Sequence, residues 1–283
     1  MKNSKAQIGF MQGRLSPLID GKIQAFPWPY WEAELPLAAE IGLTLMEWTI
    51  DQDRILENPL MTVEGRTTIR HLAELNHIQV LSLTGDCFMQ APFWKAAGEQ
   101  RTGLISLFGD ILSACADVGI KYVVVPLVDK GALSNAEEKA VLIETLLDFV
   151  PFLARHGLVI AFESDFTPEA LAQFISELPA EYFGINFDIG NSASLGWDPE
   201  EEINLLASRI VNVHVKDRVL GGTTVPLGEG AADLPKVFSL LKAAGYQGNY
   251  ILQTARAIDG EHQATLRRYT EFVAQQIGIG HGA

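Results

Sequence analysis

The sequence predicts an α/β protein, a single (β/α)8 TIM barrel that spans residues 1–283. Short apolar runs alternate with longer amphipathic segments along the chain, which is the pattern of parallel βαβ units. Eight such runs are present, and eight parallel strands close into a barrel. No linker or change in composition divides the chain into separate domains.

The predicted strands are short, largely apolar segments. They cover residues 6–11, 43–50, 78–83, 121–127, 158–163, 183–188, 210–215 and 250–254. Near-continuous apolar runs of this length are typical of strands that are buried on both faces of a parallel sheet. In a barrel of this kind, catalytic groups lie at the carboxyl ends of the strands.

The predicted helices lie between these strands and begin and end at capping signals. They cover residues 31–41, 63–75, 100–117, 135–155 and 261–277, and three more begin at Thr167, Asp198 and Asp233. Thr167-Pro168 and Asp198-Pro199 each combine an N-cap residue with proline in the first turn. Ser134 is the expected cap of the helix from residue 135. Glycines 42, 119 and 157 mark helix ends.

The composition is that of an acidic globular protein. Hydrophobic residues make up 48% of the chain, and 35 acidic against 21 basic side chains give a formal net charge of −14. Nucleic-acid binding needs clustered Lys and Arg, so we expect no nucleic-acid partner. No run reaches the roughly 18 apolar residues of a membrane span, so we expect no membrane association. Cys87 and Cys115 form no Cys-x-x-Cys pair and no signal segment is visible, which favours a cytoplasmic location.

Three successive predicted strands end in side chains that bind divalent cations. Glu163 ends the fifth strand, Asp188 ends the sixth, and His214 lies near the end of the seventh. Carboxylates suit a hard cation, and an imidazole shifts the preference towards Mn²⁺, Co²⁺, Zn²⁺ or Ni²⁺. Any one of these residues alone is more often a hydrogen-bonded or ion-paired core residue. Three of them at one rim of a barrel predict a metal centre.

Other polar residues near this rim are candidate ligands or supports. Gln253 occupies the corresponding position on the eighth strand, where its amide oxygen can bind a cation but cannot take up a proton at neutral pH. Asn186 and Asn212 lie two residues before Asp188 and His214 on the inward face. They either orient the ligands or simply fill the barrel as hydrogen-bonded side chains.

Six short motifs are spread along nearly the whole chain. They are Phe-Met-Gln-Gly-Arg-Leu-Ser (10–16), Glu-Trp (47–48), Phe-Glu-Ser (162–164), Asn-Phe-Asp-Ile-Gly-Asn (186–191), His-Val-Lys-Asp (214–217) and Pro-Leu-Gly-Glu-Gly (226–230). Together they resemble the xylose isomerase-like superfamily of sugar phosphate isomerases and epimerases. The motifs are specific for the superfamily and much less so for a substrate.

The resemblance implies a divalent-metal-dependent isomerase or epimerase of a ketose or ketose phosphate. It implies one divalent ion (Mn, Mg, Co or Zn) held by Glu163, Asp188, His214 and, at the position of the family's second glutamate, Gln253. In such relatives the metal stabilises an enediolate, while two glutamates move protons on opposite faces of the sugar.

The glutamine at position 253 leaves Glu163 as the principal acid/base. A single base is sufficient for a 1,2 aldose–ketose shift, whereas epimerisation needs a proton donor on each face. Glu47 and Asp86 are candidates for a second donor. The resemblance also implies that Glu169 and Asn191 contact the substrate.

Arg14, Glu47 and Lys216 are further candidates for binding substrate hydroxyls or a phosphate. An ion pair with Glu47 or Asp217 is the alternative for Arg14 and Lys216, and a favourable first-turn helix charge is the alternative for Glu169. The loops Gly221-Gly222-Thr223-Thr224 and Gly228-Glu229-Gly230 are further candidates for phosphate binding, although loop glycines alone are weak evidence for it.

Two other functions stay open at this point. A metal-dependent lyase that dehydrates a cyclic polyol or keto acid has a similar site, and loss of the fourth carboxylate also fits a non-catalytic sugar-binding relative. Apurinic endonucleases share the superfamily fold, but their trinuclear zinc site needs several rim histidines, and only His214 is placed there. A small sugar or sugar phosphate is the expected partner, and a homodimer or homotetramer is expected by analogy.

Overall fold

A computed structural model of the chain describes residues 7–257 and 260–278. Its barrel strands are β1 (Gln7–Met11), β2 (Leu45–Thr49), β3 (Gln79–Thr84), β4 (Tyr122–Leu127), β5 (Val159–Ser164), β6 (Phe183–Asp188), β7 (Ile210–Val215) and β10 (Asn249–Leu252). A short antiparallel pair, β8 (Asp217–Arg218) and β9 (Thr224–Val225), follows β7.

Eight parallel strands form a closed barrel in the order β1-β10-β7-β6-β5-β4-β3-β2. The first strand pairs with both β2 and β10, which closes the ring. The predicted (β/α)8 fold is therefore confirmed. Residue 6, with which the predicted first strand began, lies outside the described residues.

Helices surround the barrel. They are α1 (Trp31–Glu40), α2 (Val63–Leu75), α3 (Asp86–Gln90), α4 (Gly98–Val118), α5 (Ala136–Asp148), α6 (Val150–His156), α7 (Pro168–Ser176), α8 (Ile189–Leu195), α9 (Pro199–Leu206), α10 (Leu234–Ala243) and α11 (His262–Ile277). The side chains of Thr167, Asp198 and Asp233 cap α7, α9 and α10 as predicted. No helix in the described ranges has both the length and the apolar character needed to cross a bilayer.

The single helix predicted for residues 135–155 is wrong, because the structure has two helices there. Pro151 lies in the first turn of α6, where its missing N–H costs nothing, but it cannot continue the hydrogen bonding of α5. The predicted cap is also wrong. Asn135, rather than Ser134, caps α5 by accepting a 2.9 Å hydrogen bond from the backbone N–H of Glu138.

The strands are buried on both faces, as their apolar sequences predict. Every residue of β2, β6 and β10 is buried. The strand register places Asp188 beside His214 and His214 beside Ile251. Neighbouring strands therefore deliver their last polar side chains to one end of the barrel.

Candidate active site

Glu163, Asp188 and His214 come together at the carboxyl ends of β5, β6 and β7. One candidate ligand atom from each residue lies within 4.8 Å of the other two. Nδ1 of His214 is 3.2 Å from Oε2 of Glu163 and 3.8 Å from Oδ2 of Asp188. All three side chains are buried. The convergence expected from the sequence is present in the structure.

Glu47 lies against the opposite edge of the same imidazole ring. Its Oε1 is 2.7 Å from Nε2 of His214. The carboxylate also accepts hydrogen bonds from Thr84 Oγ1 at 2.7 Å and from Asn212 Nδ2 at 2.9 Å. Its side chain has no exposed surface, so the expected substrate contact or proton donation by Glu47 does not fit this geometry. A carboxylate in this position instead fixes the ring and directs Nδ1 towards a cation.

The two predicted supporting asparagines form part of the same hydrogen-bond network. Nδ2 of Asn186 donates to Oε2 of Glu163 at 3.0 Å and lies 3.0 Å from Nδ1 of His214. Nδ2 of Asn212 donates to Oδ1 of Asn186 at 2.9 Å as well as to Glu47. These bonds link β2, β5, β6 and β7 inside the barrel and fix the side chains of Glu163 and His214.

Lys216 and Asn191 contact the two carboxylates of the triad. Nζ of Lys216 donates to Oδ2 of Asp188 at 2.8 Å, so its ion-pair partner is this aspartate. Asn191 donates through its backbone N–H to Oδ1 of Asp188 at 2.8 Å and through Nδ2 to Oε1 of Glu163 at 2.7 Å. Both residues also line the adjacent cavity.

Buried charges determine the protonation of this site. Burial alone would lower the pKa of His214, but Glu47, Asp188 and Glu163 raise it well above its usual value. Burial opposes ionisation of Asp188, yet Lys216 and His214 hold the pKa of this carboxyl below its usual range. Burial also favours the neutral form of Glu47, but His214 and the hydrogen bond from Thr84 outweigh it and lower the pKa of this carboxyl. Asp188 and Glu47 are therefore ionised at neutral pH, each paired with a cationic side chain.

A cavity of about 580 Å³ opens beside the triad. Gln253 lines it, and its Nε2 donates to Oε1 of Gln24 at 3.0 Å. Within the described ranges, the buried Oε1 of Gln253 has no hydrogen-bond partner. The two carboxylates and the imidazole nitrogen of Glu163, Asp188 and His214 form a donor set that fits a divalent cation.

Two other cavity residues, Gln24 and Arg218, were not identified from the sequence. Gln24 donates through Nε2 to Oδ2 of Asp86 at 2.5 Å. Arg218 donates to Oδ1 of Asn191 at 2.8 Å and to the carbonyl of Gly222. Arg218 lies two residues after Lys216, and this spacing is the one sequence signal that could have identified it.

Arg14 and Glu169 lie outside the cavity lining. Arg14 is buried and donates through Nε to the carbonyl of Thr254 at 2.9 Å, which ties the loop after β1 to the segment after β10. Glu169 is exposed in the first turn of α7. We therefore omit both from the residues proposed to contact substrate.

The loop at residues 228–230 uses its amides within the protein. The backbone N–H groups of Gly228 and Gly230 donate to Oδ2 of Asp217 at 2.9 and 3.0 Å. Ala232 donates to Oδ1 of the same carboxylate at 3.1 Å. The expectation of a phosphate cradle at residues 228–230 is therefore wrong, because these amides already donate to Asp217.

Comparisons with known proteins agree with this architecture. A sequence profile described as a xylose isomerase-like TIM barrel matches residues 35–271. L-ribulose-5-phosphate 3-epimerase UlaE of Salmonella heidelberg (strain SL476) is 27% identical over 235 residues, which cover 79% of this chain and 81% of that protein. D-allulose 3-epimerase from Methylomonas sp. has a TM-score of 0.77 at 13% identity, covering 96% of this chain and 98% of that one. The IOLI protein with a bound zinc atom has a TM-score of 0.74 at 18% identity, again covering 96% and 98%.

Proposed function

Because the chain belongs to the xylose isomerase-like TIM barrel family, we propose that it is a divalent-metal-dependent isomerase or epimerase of a ketose or ketose phosphate. The observation that carries this proposal is the convergence of Glu163, Asp188 and His214 beside a polar cavity. The curated relative named as an L-ribulose-5-phosphate 3-epimerase supports the substrate class.

In this proposal, Glu163, Asp188, His214 and Gln253 hold one divalent ion, which is Mn²⁺, Mg²⁺, Co²⁺ or Zn²⁺. A bound cation polarises carbonyl and hydroxyl oxygens and stabilises the negative charge that develops when a carbon next to a carbonyl loses its proton. The unpartnered Oε1 of Gln253 supports its inclusion in the donor set.

Glu163 is the proposed acid/base. Asn191 and Asn186 donate to its Oε1 and Oε2 at 2.7 and 3.0 Å, so both oxygens are oriented. The carboxylate takes the proton from the carbon beside the substrate carbonyl, which leaves an enediolate in the substrate, and then returns it. Lys216, Asn191 and Arg218 line the cavity and are proposed to bind substrate hydroxyls or a phosphate.

Two measurements test this proposal. Protein purified without added metal is analysed for bound elements, and the metal-loaded protein is incubated with ketoses and ketose phosphates in deuterated water. We expect elemental analysis to find a bound divalent metal. We expect NMR to show an isomer or epimer in which a carbon-bound proton has been exchanged.

A variant pair assigns the acid/base. Glu163→Gln should lower turnover by about 10²- to 10⁴-fold, because general acid–base catalysis contributes that much. Glu181→Gln makes the same change at an exposed position and should leave turnover unchanged. Full activity of Glu163→Gln would contradict the assignment.

Other products point to other functions. An enone or diketone product indicates a dehydratase, and sugar binding without turnover indicates a non-catalytic relative.

A cytoplasmic location, a dimeric or tetrameric assembly, and a single domain over residues 1–283 stay predictions.

A further inference from the structure

We infer that Asp86 is a second catalytic proton donor, which acts on the face of the substrate carbon opposite to Glu163 and makes the enzyme an epimerase. The inference rests on the proposed function. It follows from the position of Asp86 in the cavity wall, where Gln24 connects it to Gln253.

Inversion at a carbon needs proton removal on one face and proton delivery on the other. Glu163 serves one face. Gln253 lines the same cavity, but its amide has no proton that it can give up at neutral pH. An epimerase with this site therefore needs another ionisable side chain within the cavity.

The cavity lining offers few alternatives. Besides Glu163, its ionisable side chains are Asp86, Asp129, Asp165, Lys216 and Arg218. Asp129 and Asp165 are exposed, so water rather than the protein surrounds their carboxylates. The Lys216 ammonium is bound to Asp188, and the Arg218 guanidinium does not give up its proton. Asp86, which is only 8% exposed, is the remaining candidate.

Two hydrogen bonds connect Asp86 to Gln253 through the side chain of Gln24 in the cavity wall. Nε2 of Gln253 donates to Oε1 of Gln24 at 3.0 Å, and Nε2 of Gln24 donates to Oδ2 of Asp86 at 2.5 Å. The bridging amide therefore fixes the orientation of the Asp86 carboxyl. The carboxyl of Asp86 still lines the cavity, and Glu163 lines the same cavity from the end of β5.

The surroundings of Asp86 support a proton-carrying role. Burial raises the carboxyl pKa to about 7, the Asp51 and Glu163 carboxylates act in the same direction, and Gln24 and Lys216 oppose them. A carboxyl with a pKa near 7 holds a proton for donation and regains it from solvent at neutral pH.

Proton and electron movements balance in the proposed step. The C–H bond beside the carbonyl breaks, its electron pair enters the enediolate, and the proton moves to Glu163. The enediolate carbon then takes the proton of the Asp86 carboxyl on its other face, and the carbonyl re-forms. Glu163 afterwards loses its proton to solvent and Asp86 takes one up. The reverse reaction uses the same groups with their roles exchanged.

The test separates proton exchange from inversion. Asp86→Asn keeps the size of the side chain and an oxygen that can accept the Gln24 hydrogen bond. In deuterated water, with the ketose that the wild type epimerises, we expect epimer formation to fall by about 10²- to 10⁴-fold. Deuterium should still enter the recovered substrate within a few-fold of the wild-type rate, because Glu163 continues to remove and return a proton on its own face.

Three comparisons complete this experiment. Asp53→Asn, an exposed aspartate outside the cavity lining, should match the wild type in both rates. Asp86→Glu restores a carboxyl and should recover part of the inversion. The infrared difference spectrum, wild type minus Asp86→Asn, should show a protonated carboxyl that titrates near neutral pH. Burial also raises the carboxyl pKa of Glu34 and of Glu202 to about 7, but both residues are present in the two proteins and cancel in the difference. Thermal melting and metal stoichiometry show that the variant is folded.

Several outcomes would overturn the inference. Unchanged epimer formation by Asp86→Asn, or equal loss of exchange and inversion in a folded Asp86→Asn, excludes the proposed donor. A wild type that exchanges protons but yields only an aldose by a 1,2 shift also overturns it, while the proposed function survives. A wild type with neither exchange nor inversion on any ketose overturns both.

Discussion

Glu47 and His214 form a buried pair in which Oε1 of the carboxylate lies 2.7 Å from Nε2 of the ring. The pair joins β2 to β7 across the inside of the barrel. Because Nε2 is occupied, Nδ1 is the ring nitrogen that faces Glu163 and Asp188. This arrangement makes Glu47 a positioning residue for the proposed metal site.

Replacing Glu47 with glutamine should weaken metal binding by about 10- to 100-fold, since loss of a carboxylate behind a ligating histidine has this effect. Titration calorimetry with Mn²⁺ or Zn²⁺ measures the change. Glu57→Gln, at an exposed position, is the matched control. Equal affinities of Glu47→Gln and the wild type would show that Glu47 does not act through His214.

Metal binding should release a proton and should weaken as pH falls. The raised pKa of His214 means that the metal-free ring is protonated at neutral pH, and a cation has to displace this proton. Below that pKa, affinity should rise about tenfold per pH unit if one proton is released. Calorimetry in two buffers with different heats of ionisation measures the proton count. Identical binding heats in the two buffers would exclude proton release.

The same protonation stabilises the metal-free fold. A pKa that is raised on folding contributes stability that is fully present below the unfolded value of about 6.5. This contribution is lost as the pH rises through the higher pKa of the folded state. Urea unfolding of the metal-free protein at several pH values measures this loss. In His214→Gln, which has no imidazole to titrate, the free energy of unfolding should fall less steeply as the pH rises.

Gln253→Glu should tighten metal binding by about tenfold or more, because added ligand charge strengthens binding at oxygen-rich sites. The substitution places a carboxylate where an unpartnered amide oxygen now lies. The same variant without metal should be less stable, since it adds a negative charge to a cavity that Asp86 and Glu163 already line. Gln247→Glu makes the same change at an exposed residue and should alter neither property. An unchanged metal affinity would mean that Gln253 is not a ligand.

Gly190→Ala should lower stability by about 1–3 kcal/mol, the usual cost of overpacking. A Cβ at this position would lie 2.7 Å from Cγ of Lys216, so the lysine would have to move away from Asp188. A Cβ added at Gly103, within α4, would meet open space instead. Gly103→Ala should therefore stabilise the helix by about 0.5–1 kcal/mol. Denaturant unfolding compares the two variants, and equal effects would contradict the predicted clash.

The barrel and the convergence of Glu163, Asp188 and His214 could be predicted because both follow from local patterns. Apolar runs identify the strands, and parallel barrel strands all end at one rim, so Glu163, Asp188 and His214 are brought together by topology alone. The observed bounds of β6 and β7 equal the predicted ones, because their apolar runs begin and end sharply.

The roles of Glu47 and Gln24 could not be predicted in the same way. Glu47 contacts a histidine 167 positions away, and this pairing depends on the diameter of the barrel and on side-chain direction. Gln24 lies in an irregular loop and meets Gln253 across 229 positions. Such contacts leave no periodic signal in the sequence.

The break between α5 and α6 is also hard to predict from the sequence. The apolar pattern runs on through Pro151, and proline is compatible with the first turn of a helix, so the pattern alone does not show that a new helix begins there.

The pairing of β1 with β10 has a consequence for assembly during synthesis. Strands β5, β6 and β7 are consecutive in the chain, so a growing polypeptide that has reached residue 215 already carries Glu163, Asp188 and His214. Gln24 and Gln253 meet only across the seam between the earliest and the latest strand. A nascent chain that stops short of residue 249 therefore carries these three side chains but lacks β10, the strand that lies between β7 and β1 in the closed barrel. The cavity that Glu163 and Gln253 line is completed only when this last strand docks.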